Sequence, residues 1–396
     1  MSLTLSNRVG RIKPSPTLAV TARAAELRAA GHDVIGLGAG EPDFDTPDHI
    51  KEAAIEAIRA GHTKYTPVDG LPALKRAIIS KFERENGLIY EPDQVLVSCG
   101  GKQSFYNLAQ ALLDPGDEVV IPAPYWVSYP DMVLLADGKP VIVETGQEAG
   151  FRMTPEQLAA AIGPRTRLVV LNSPSNPTGA AYARAELAAL GEVLREHPEV
   201  LVATDDMYEH IRWGDEPFAN IVNACPELHE RAVVLNGVSK AYAMTGWRIG
   251  YAGGPAPLIQ AMKKVQSQST SNPASISQHA AIAALEGDQG CVAEMVEAFK
   301  VRHDAVIEGL NALPGVSCRP CEGTFYCFPS FHEAMTALGA DDDVALAERL
   351  LEEAGVALVP GSAFGAPGYL RLSFATDLQT LREALARLER VLAAAA

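Results

Sequence analysis

The sequence predicts an α/β fold: a mainly parallel central sheet sandwiched by helices, with a smaller α+β domain attached. Three observations carry that prediction. From about residue 93, short β-branched runs alternate with helical stretches, the pattern of a parallel sheet covered on both faces. Beyond residue 312, helix-like and strand-like stretches alternate in shorter pieces, as in a separate α+β unit. The chain has 396 residues, enough for two or three domains at about 100–200 residues each.

Taken in order, the first element is an arm followed by a short helix. Ser15-Pro16-Thr17 can cap a helix through Leu18, Ala22, Ala25 and Leu27, closed by Gly31. A short strand is expected over Asp33–Leu37. Thr46-Pro47-Asp48 should open the next helix as cap, first-turn proline and first-turn acid, and Gly61 should end it. Strands are then expected near Gln94–Cys99, Glu118–Ile121, Val141–Glu144, Leu168–Leu171, Val200–Ala203, Ala232–Leu235 and Ile249–Ala252. The intervening helices are expected near Gln103–Leu113, Leu158–Ile162 and Glu186–Glu196, and residues 256–312 read as helical. The last section alternates through Phe325–Phe328, Val344–Ala354, Val356–Val359, Tyr369–Ser373 and Leu378–Leu392. The expected division is arm and part of the small domain over 1–45, a large domain over 46–300 and a small one over 301–396. No Gly/Ser linker separates them, so tight docking is expected, with the arm returning to the small domain.

Composition bounds the function. The chain carries 33 Lys+Arg against 49 Asp+Glu, a formal net charge of −16. That balance argues against a nucleic-acid groove or an anionic membrane surface as partner. Hydrophobic residues make up 47% of the chain, too many for disorder. No apolar run approaches the ~18 residues that span a bilayer, and the first residues lack the apolar core of a leader. A cytoplasmic location is expected. Cys318-Arg-Pro-Cys321 has zinc-like spacing, with Cys327 close by, yet no second pair completes a ligand set. These read as ordinary thiols, and the nine His are scattered without metal spacing.

In an open parallel sheet, ligands bind beyond the carboxyl ends of the strands. Four strand ends carry unusual content. Gly100-Gly101-Lys102 precedes a helix, which suits an anion such as phosphate; a plain tight turn accounts for it equally well. It is not a Walker loop, because Gln103 stands where Ser or Thr is required. Asn172-Ser-Pro-Ser-Asn176-Pro-Thr-Gly179 is a rigid loop that fixes Asn176, or merely bonds its own backbone. Thr204-Asp205-Asp206-Met207-Tyr208 can place Asp205 and Tyr208 on one face, unless Asp205 only caps the turn. Lys240, between Val238 and Ala241, should be partly desolvated and therefore nucleophilic, if it is not an ordinary surface lysine. Gly36-Leu-Gly38-Ala-Gly40 lacks the last glycine of a dinucleotide fingerprint.

The conjunction favours one chemistry. Pyridoxal 5′-phosphate needs a lysine for an imine, an acid for its pyridine nitrogen, donors for its phenolic oxygen and a cradle for its phosphate. The sequence resembles the fold-type I pyridoxal-phosphate aminotransferases of class I over nearly its whole length. The motifs are GAGEPDFDTP (38–47), TKYTPVDG (63–70), GGKQ (100–103), PAPYWVSYP (122–130), NSPSNPTGA (172–180), TDDMYEH (204–210), NGVSKAYAMTGWRIGYAGGP (236–255) and YLRLSFA (369–375). It is most similar to the bacterial aspartate and prephenate subgroup.

The resemblance implies roles. Lys240 would carry the cofactor and shuttle the substrate proton, and Asp205 would pair with the pyridine nitrogen. Asn176 and Tyr208 would hold the phenolic oxygen, and Trp126 would stack on the ring. Gly101, Lys102, Ser239 and Arg248 would hold the phosphate, with Tyr65 reaching in from the other subunit of a homodimer. Arg371 would grip the substrate α-carboxylate, helped by Gly40 and Asn176. The distal carboxylate would fall to Lys102, Ser15 and Thr17, since residues 266–273 contain no arginine. Gly237 replaces a phosphate-contacting serine of some relatives. The implied reaction is transamination of aspartate or glutamate with oxaloacetate or 2-oxoglutarate, with prephenate not separated from them. An aromatic, alanine or methionine aminotransferase of the same fold is the alternative, and a β-eliminating lyase would keep the same cofactor set. A non-enzymatic cofactor-sensing regulator is disfavoured, because only about forty residues, none a basic DNA-binding domain, precede GAGEP.

Overall fold

The computed structural model describes residues 3–14, 16–214 and 216–394. Among them, strands β1 to β12 occupy Ile35–Gly36, Val95–Ser98, Glu118–Ala123, Lys139–Glu144, Thr166–Asn172, Leu201–Asp205, Ala232–Gly237, Gly250–Gly253, Tyr326–Cys327, Val356–Ala357, Val359–Pro360 and Leu370–Ser373. The central sheet runs β2-β8-β7-β6-β5-β3-β4. Neighbours from β7 to β4 are parallel, and β8 alone runs against both of its partners. The expected mainly parallel sheet is therefore present, with one reversed strand.

Burial on both faces explains why these strands read as near-continuous apolar runs. Every position of β2, β7 and β8 is buried. Within β2, Val95 and Val97 enter one core, whereas Leu96 enters the other, the two-residue alternation of a pleated strand. On one face, helices Pro72–Lys81, Arg184–Arg195 and Ser275–Glu286 supply Leu74, Leu187 and Ala281. On the other, Gly101–Leu112 and Ala256–Ser267 supply Phe105, Leu108 and Met262.

A second core gathers Phe299, Phe325, Tyr326, Leu350, Phe374 and Leu388. Around it, β9 and β11 flank β12 in an antiparallel sheet. Strand β1 pairs in parallel with β10, so residues near 35 are tied to the C-terminal part. Helix Gly290–Ala312 joins the two cores: Val292 and Val296 pack on the first, and Met295, Phe299, Val306 and Leu310 on the second.

One local expectation is corrected. Thr46 does not cap its helix, which starts at Asp48 with no side-chain cap. Instead the Thr46 hydroxyl donates to the Ala243 carbonyl at 2.7 Å, tying the helix start to the loop after Lys240. The arm also divides. Helix Pro16–Ala29 packs on β10 and β11, as expected of the arm, but Arg8 and Arg11 both pair with Asp137, just before β4, at 2.7 and 2.5 Å.

Candidate active site

Strand register assembles the site. Asn172 at the end of β5 lies beside Asp205 at the end of β6, and Asp205 beside Leu235 of β7. Ser98 of β2 and Gly237 of β7 both face Gly250. The four segments singled out in the sequence thus leave the sheet together, and a cavity of about 340 Å³ opens between them. Every predicted site residue lines it except two. Ser15 lies outside the described residues. Tyr65 is 92% exposed and away from the cavity of its own chain.

The glycine turn forms a cradle. Gly100 has φ +87° and directly precedes helix Gly101–Leu112, so unpaired helix N–H groups face the cavity. A Cβ at Gly100 would run into the Arg248 guanidinium. Arg248 is held at φ +56° and donates to the Thr245 carbonyl at 2.8 Å. Close packing also accounts for Gly237. A Cβ there would lie 3.0 Å from the Ile249 carbonyl and 3.1 Å from Met207 Cε, so a serine would not fit without a shift.

Lys240 is half-buried and donates to the Gly40 carbonyl at 2.6 Å. Burial, then the charges of Arg248 and Arg371, bring its amine down to about 8. Asp205 carries both proposed roles. Its Oδ1 accepts the Met207 N–H at 3.2 Å, a turn cap, and its Oδ2 accepts the Tyr129 hydroxyl at 2.5 Å. Burial raises Asp205 above the usual carboxylate range, and the Tyr129 hydrogen bond opposes that. Asp206 points elsewhere, to Thr204 at 2.6 Å and Asn220 at 2.7 Å. The Tyr208 hydroxyl lies 3.1 Å from that of Tyr326.

Arg371 is the most constrained cation. It is 2% exposed, donating to Asn176 Oδ1 and the Gly38 carbonyl, both at 2.8 Å. Its guanidinium lies over the Tyr326 and Phe364 rings at 4.4 and 5.0 Å. Its Nε–H has no partner. Among the described residues, no carboxylate lies within 4.0 Å of Arg371, Lys240, Arg248 or Lys102. Four cations therefore line one cavity with no direct ion pair, against two carboxylates, Glu41 and Asp205, an excess of positive charge that an anionic ligand would offset.

The model of the class I and II aminotransferases matches residues 32–388. The chain belongs to the class I and II aminotransferase family. It is 60% identical to the aspartate/prephenate aminotransferase of Nitrosomonas europaea over 98% of this chain and 99% of that one. It is 54% identical to the aspartate aminotransferase of Geobacillus stearothermophilus over 99% and 100%. Among solved structures, the aspartate aminotransferase of Rhizobium meliloti superposes with a TM-score of 0.95 at 50% identity, covering 99% of both chains. The Thermus thermophilus aspartate aminotransferase with maleate gives 0.92 at 48%, covering 98% and 100%.

The family's cofactor fits the donor set: a glycine cradle at a helix N-terminus with Arg248, a desolvated lysine, and a buried acid with a hydroxyl donor behind it. Three contributors escape the sequence reading: Tyr129, Tyr326 and Asn172, whose amide donates to the Asp205 carbonyl at 2.9 Å. The signal for Tyr129 was its place inside PAPYWVSYP, but nothing local links it to Asp205. Tyr129→Phe removes a donor to the carboxylate, worth about 1.5–3 kcal/mol for a charged acceptor. Cofactor dissociation from the variant is expected to rise by at least about tenfold, read by equilibrium dialysis. An unchanged dissociation constant would separate Tyr129 from the site.

A second charged group, Glu85, Glu209 and His210, lies within ligand distance of itself. Lys81 already occupies it, pairing with Glu209 and lying 3.6 Å from Glu85. Asn86 and Asn236 fill the remaining acceptors of Glu209 at 2.6 and 2.7 Å, so this is an internal ion-pair network.

Proposed function

We propose that the chain is a pyridoxal 5′-phosphate-dependent aminotransferase acting on aspartate and glutamate with oxaloacetate and 2-oxoglutarate, and on prephenate as a further acceptor. The observation that carries this reading is the buried Arg371, whose unpaired Nε–H faces no acid of its own chain. It suits the planar α-carboxylate common to all these substrates. When bound, the cofactor supplies an electron sink for the carbanion left at the substrate α-carbon.

The chain's own residues divide the remaining work. Lys240 would hold the cofactor, and its amine would then take the substrate α-proton and return it two bonds away, across the substrate nitrogen. Asp205, hydrogen-bonded by Tyr129, would keep the pyridine nitrogen protonated. Tyr208 and Asn176 supply donors for the phenolic oxygen. Lys102 stands at the mouth with its ammonium 5.2 Å from the Trp126 ring, and Thr17 lines the same cavity. Both suit a second carboxylate. The Thermus relative's structure with maleate, a four-carbon dicarboxylate, supports that reading.

Lys102→Ala and Thr17→Val are expected to raise KM for aspartate by about ten- to a hundredfold, the value of one charged hydrogen bond. KM for alanine should change little. Steady-state kinetics on both substrates decide this, and equal losses would give these residues a structural role.

A dimer is part of the proposal. Tyr65 is exposed, as are Ile55 and Ile58 of the preceding helix, and a second copy covering Tyr65 would bring it to the other cavity. A cytoplasmic setting suits the six free cysteines. Among the described residues, no helix is long and apolar enough to cross a membrane.

A further inference from the structure

Tyr326 stands where the cofactor seat meets the substrate seat. It lines the cavity, and its side chain is fully buried. The chain turns at Thr324, φ +66°, and the Thr324 hydroxyl accepts the Tyr326 N–H at 3.1 Å. The Thr324 N–H donates to the Ile211 carbonyl at 2.8 Å, and the Ile211 N–H donates to the Tyr208 carbonyl at 2.9 Å. These bonds clamp the start of β9 to the turn that carries Asp205 and Tyr208. On its other side β9 pairs with β12, with Tyr326 opposite Ser373, in the strand that carries Arg371.

Three contacts meet on this one side chain. Its hydroxyl lies 3.1 Å from that of Tyr208. Its ring lies beneath the Arg371 guanidinium at 4.4 Å. A Cβ at Gly40 would lie 3.2 Å from the Tyr326 hydroxyl, so the residue whose carbonyl accepts Lys240 packs against the same oxygen. Among the described residues, Tyr208 is the one hydrogen-bond partner of the Tyr326 hydroxyl.

The protons of the pair give it a direction. Each hydroxyl has a single proton to donate, and in the empty chain either oxygen can be the donor. If Tyr208 donates, its proton is taken, and the Tyr326 proton has no acceptor among the described residues. If Tyr326 donates, the Tyr208 proton is left free to point into the cavity. An anionic oxygen bound there selects the second arrangement, because it gives both protons an acceptor and leaves no buried hydroxyl unpaired. A hydroxyl that accepts one hydrogen bond also donates the next one more strongly.

We propose that Tyr326 is a positioning residue of the site, with two separable parts. Its hydroxyl donates to Tyr208 and turns the Tyr208 proton toward the cofactor's phenolic oxygen. Its ring seats the Arg371 guanidinium for the substrate α-carboxylate. The assignment rests on the aminotransferase reading above and adds a residue to it.

The hydroxyl is tested by a double-substitution cycle on the holoenzyme without substrate. A donor to the phenolic oxygen stabilises its anion, and so eases loss of the proton that this oxygen shares with the Lys240 nitrogen. Tyr326→Phe should therefore raise the pH midpoint of the cofactor's absorbance change by about half to one unit, the worth of one neutral hydrogen bond. Tyr208→Phe should raise it further. In the Tyr208→Phe background, Tyr326→Phe should add nothing, since the relay is already broken. An unchanged midpoint in Tyr326→Phe, or the same shift in both backgrounds, would overturn the hydroxyl's role.

Kinetics test the ring. Tyr326→Phe keeps the aromatic face, so KM for aspartate should stay within about twofold of the parent while kcat falls severalfold. Tyr326→Leu removes the face, and KM should rise by about tenfold. Tyr326→Met supplies the same loss if the leucine variant does not fold. Equal KM values with and without the aromatic face would overturn the seating of Arg371. A parent enzyme that showed the absorbance change but turned over no acidic amino acid would fail the substrate reading alone, and the cycle would still decide the hydroxyl.

Discussion

Lys240→Ala is expected to abolish transamination while the chain still folds and binds the cofactor noncovalently. The argument is additive in roles, not in energies. Lys240 is both the attachment point and the proton carrier, and a positioned acid–base group alone is worth about 10²–10⁴-fold. With covalent attachment also lost, turnover should fall by at least about 10⁴-fold. The cradle at Gly100–Gly101 and Arg248, together with Asp205, remains intact in the variant, so cofactor binding should persist. Stopped-flow turnover and dialysis against free cofactor check both halves. A variant with near-native rate would dismiss the assignment.

The same lysine gives a pH signature. Its amine sits at about 8 in the free chain, through burial and the charges of Arg248 and Arg371. A lowered value means the proton leaves earlier as pH rises. The neutral amine is therefore half-formed near pH 8, well below the ordinary lysine value of 10.5. The rate of covalent cofactor attachment to apoprotein should rise through pH ~8 and then level off. Arg371→Leu removes one of the depressing charges, so the midpoint should move upward. Attachment rates that kept rising to pH ~10 in the parent chain would mean that Lys240 is solvated.

Much of this was legible before any coordinates, for definable reasons. The central sheet is buried on both faces, so its strands are apolar runs that stand out between helices. The ligand-bearing segments follow directly from strand ends, so Gly100–Lys102, Asp205 and Lys240 could be picked by position alone. What lay beyond reach depends on register across the sheet. Asp205 and Asp206 are adjacent in the sequence, and only the end of β6 at Asp205 and the turn after it send the first to the cavity and the second to Asn220. Tyr129 bonds a residue 76 positions away, and Tyr208 meets Tyr326 across 118. Each reads locally as one more core aromatic. Thr46 misled because a threonine before Pro47 is a common helix start, whereas its hydroxyl is taken by Ala243. Arg371 has no local signal at all, because it sits in the ordinary strand β12. Its importance came from the resemblance carried by YLRLSFA, and the structure adds the physical reason: a buried guanidinium left partly unsatisfied.

That reason makes Arg371→Leu the second large effect. The guanidinium would offer two charge-assisted hydrogen bonds to an α-carboxylate, each worth about 1.5–3 kcal/mol. Losing both corresponds to roughly 10²–10⁴-fold in kcat/KM, and the loss should fall on every amino acid, since all carry that carboxylate. Lys102→Ala should instead discriminate among substrates by their second carboxylate. Arg371→Lys keeps the charge but not the fork, so it should recover only part of the loss. Folding should tolerate the leucine. A buried cation with no counter-ion is costly in the empty chain, so thermal unfolding of the apo variant is expected at or above the parent temperature while catalysis collapses. Opposite signs on stability and activity would mark a residue kept for its ligand. The same logic reconciles the charge of the whole with the site: a chain of net −16 keeps Lys102, Arg248, Lys240 and Arg371 out of direct ion pairs and places them in a cavity with only Glu41 and Asp205 as acids. The overall sign excludes polyanions, and the local arrangement admits a small dianion. A parallel fall in stability and kcat/KM would instead make Arg371 a structural cation and shift the α-carboxylate site elsewhere in the cavity.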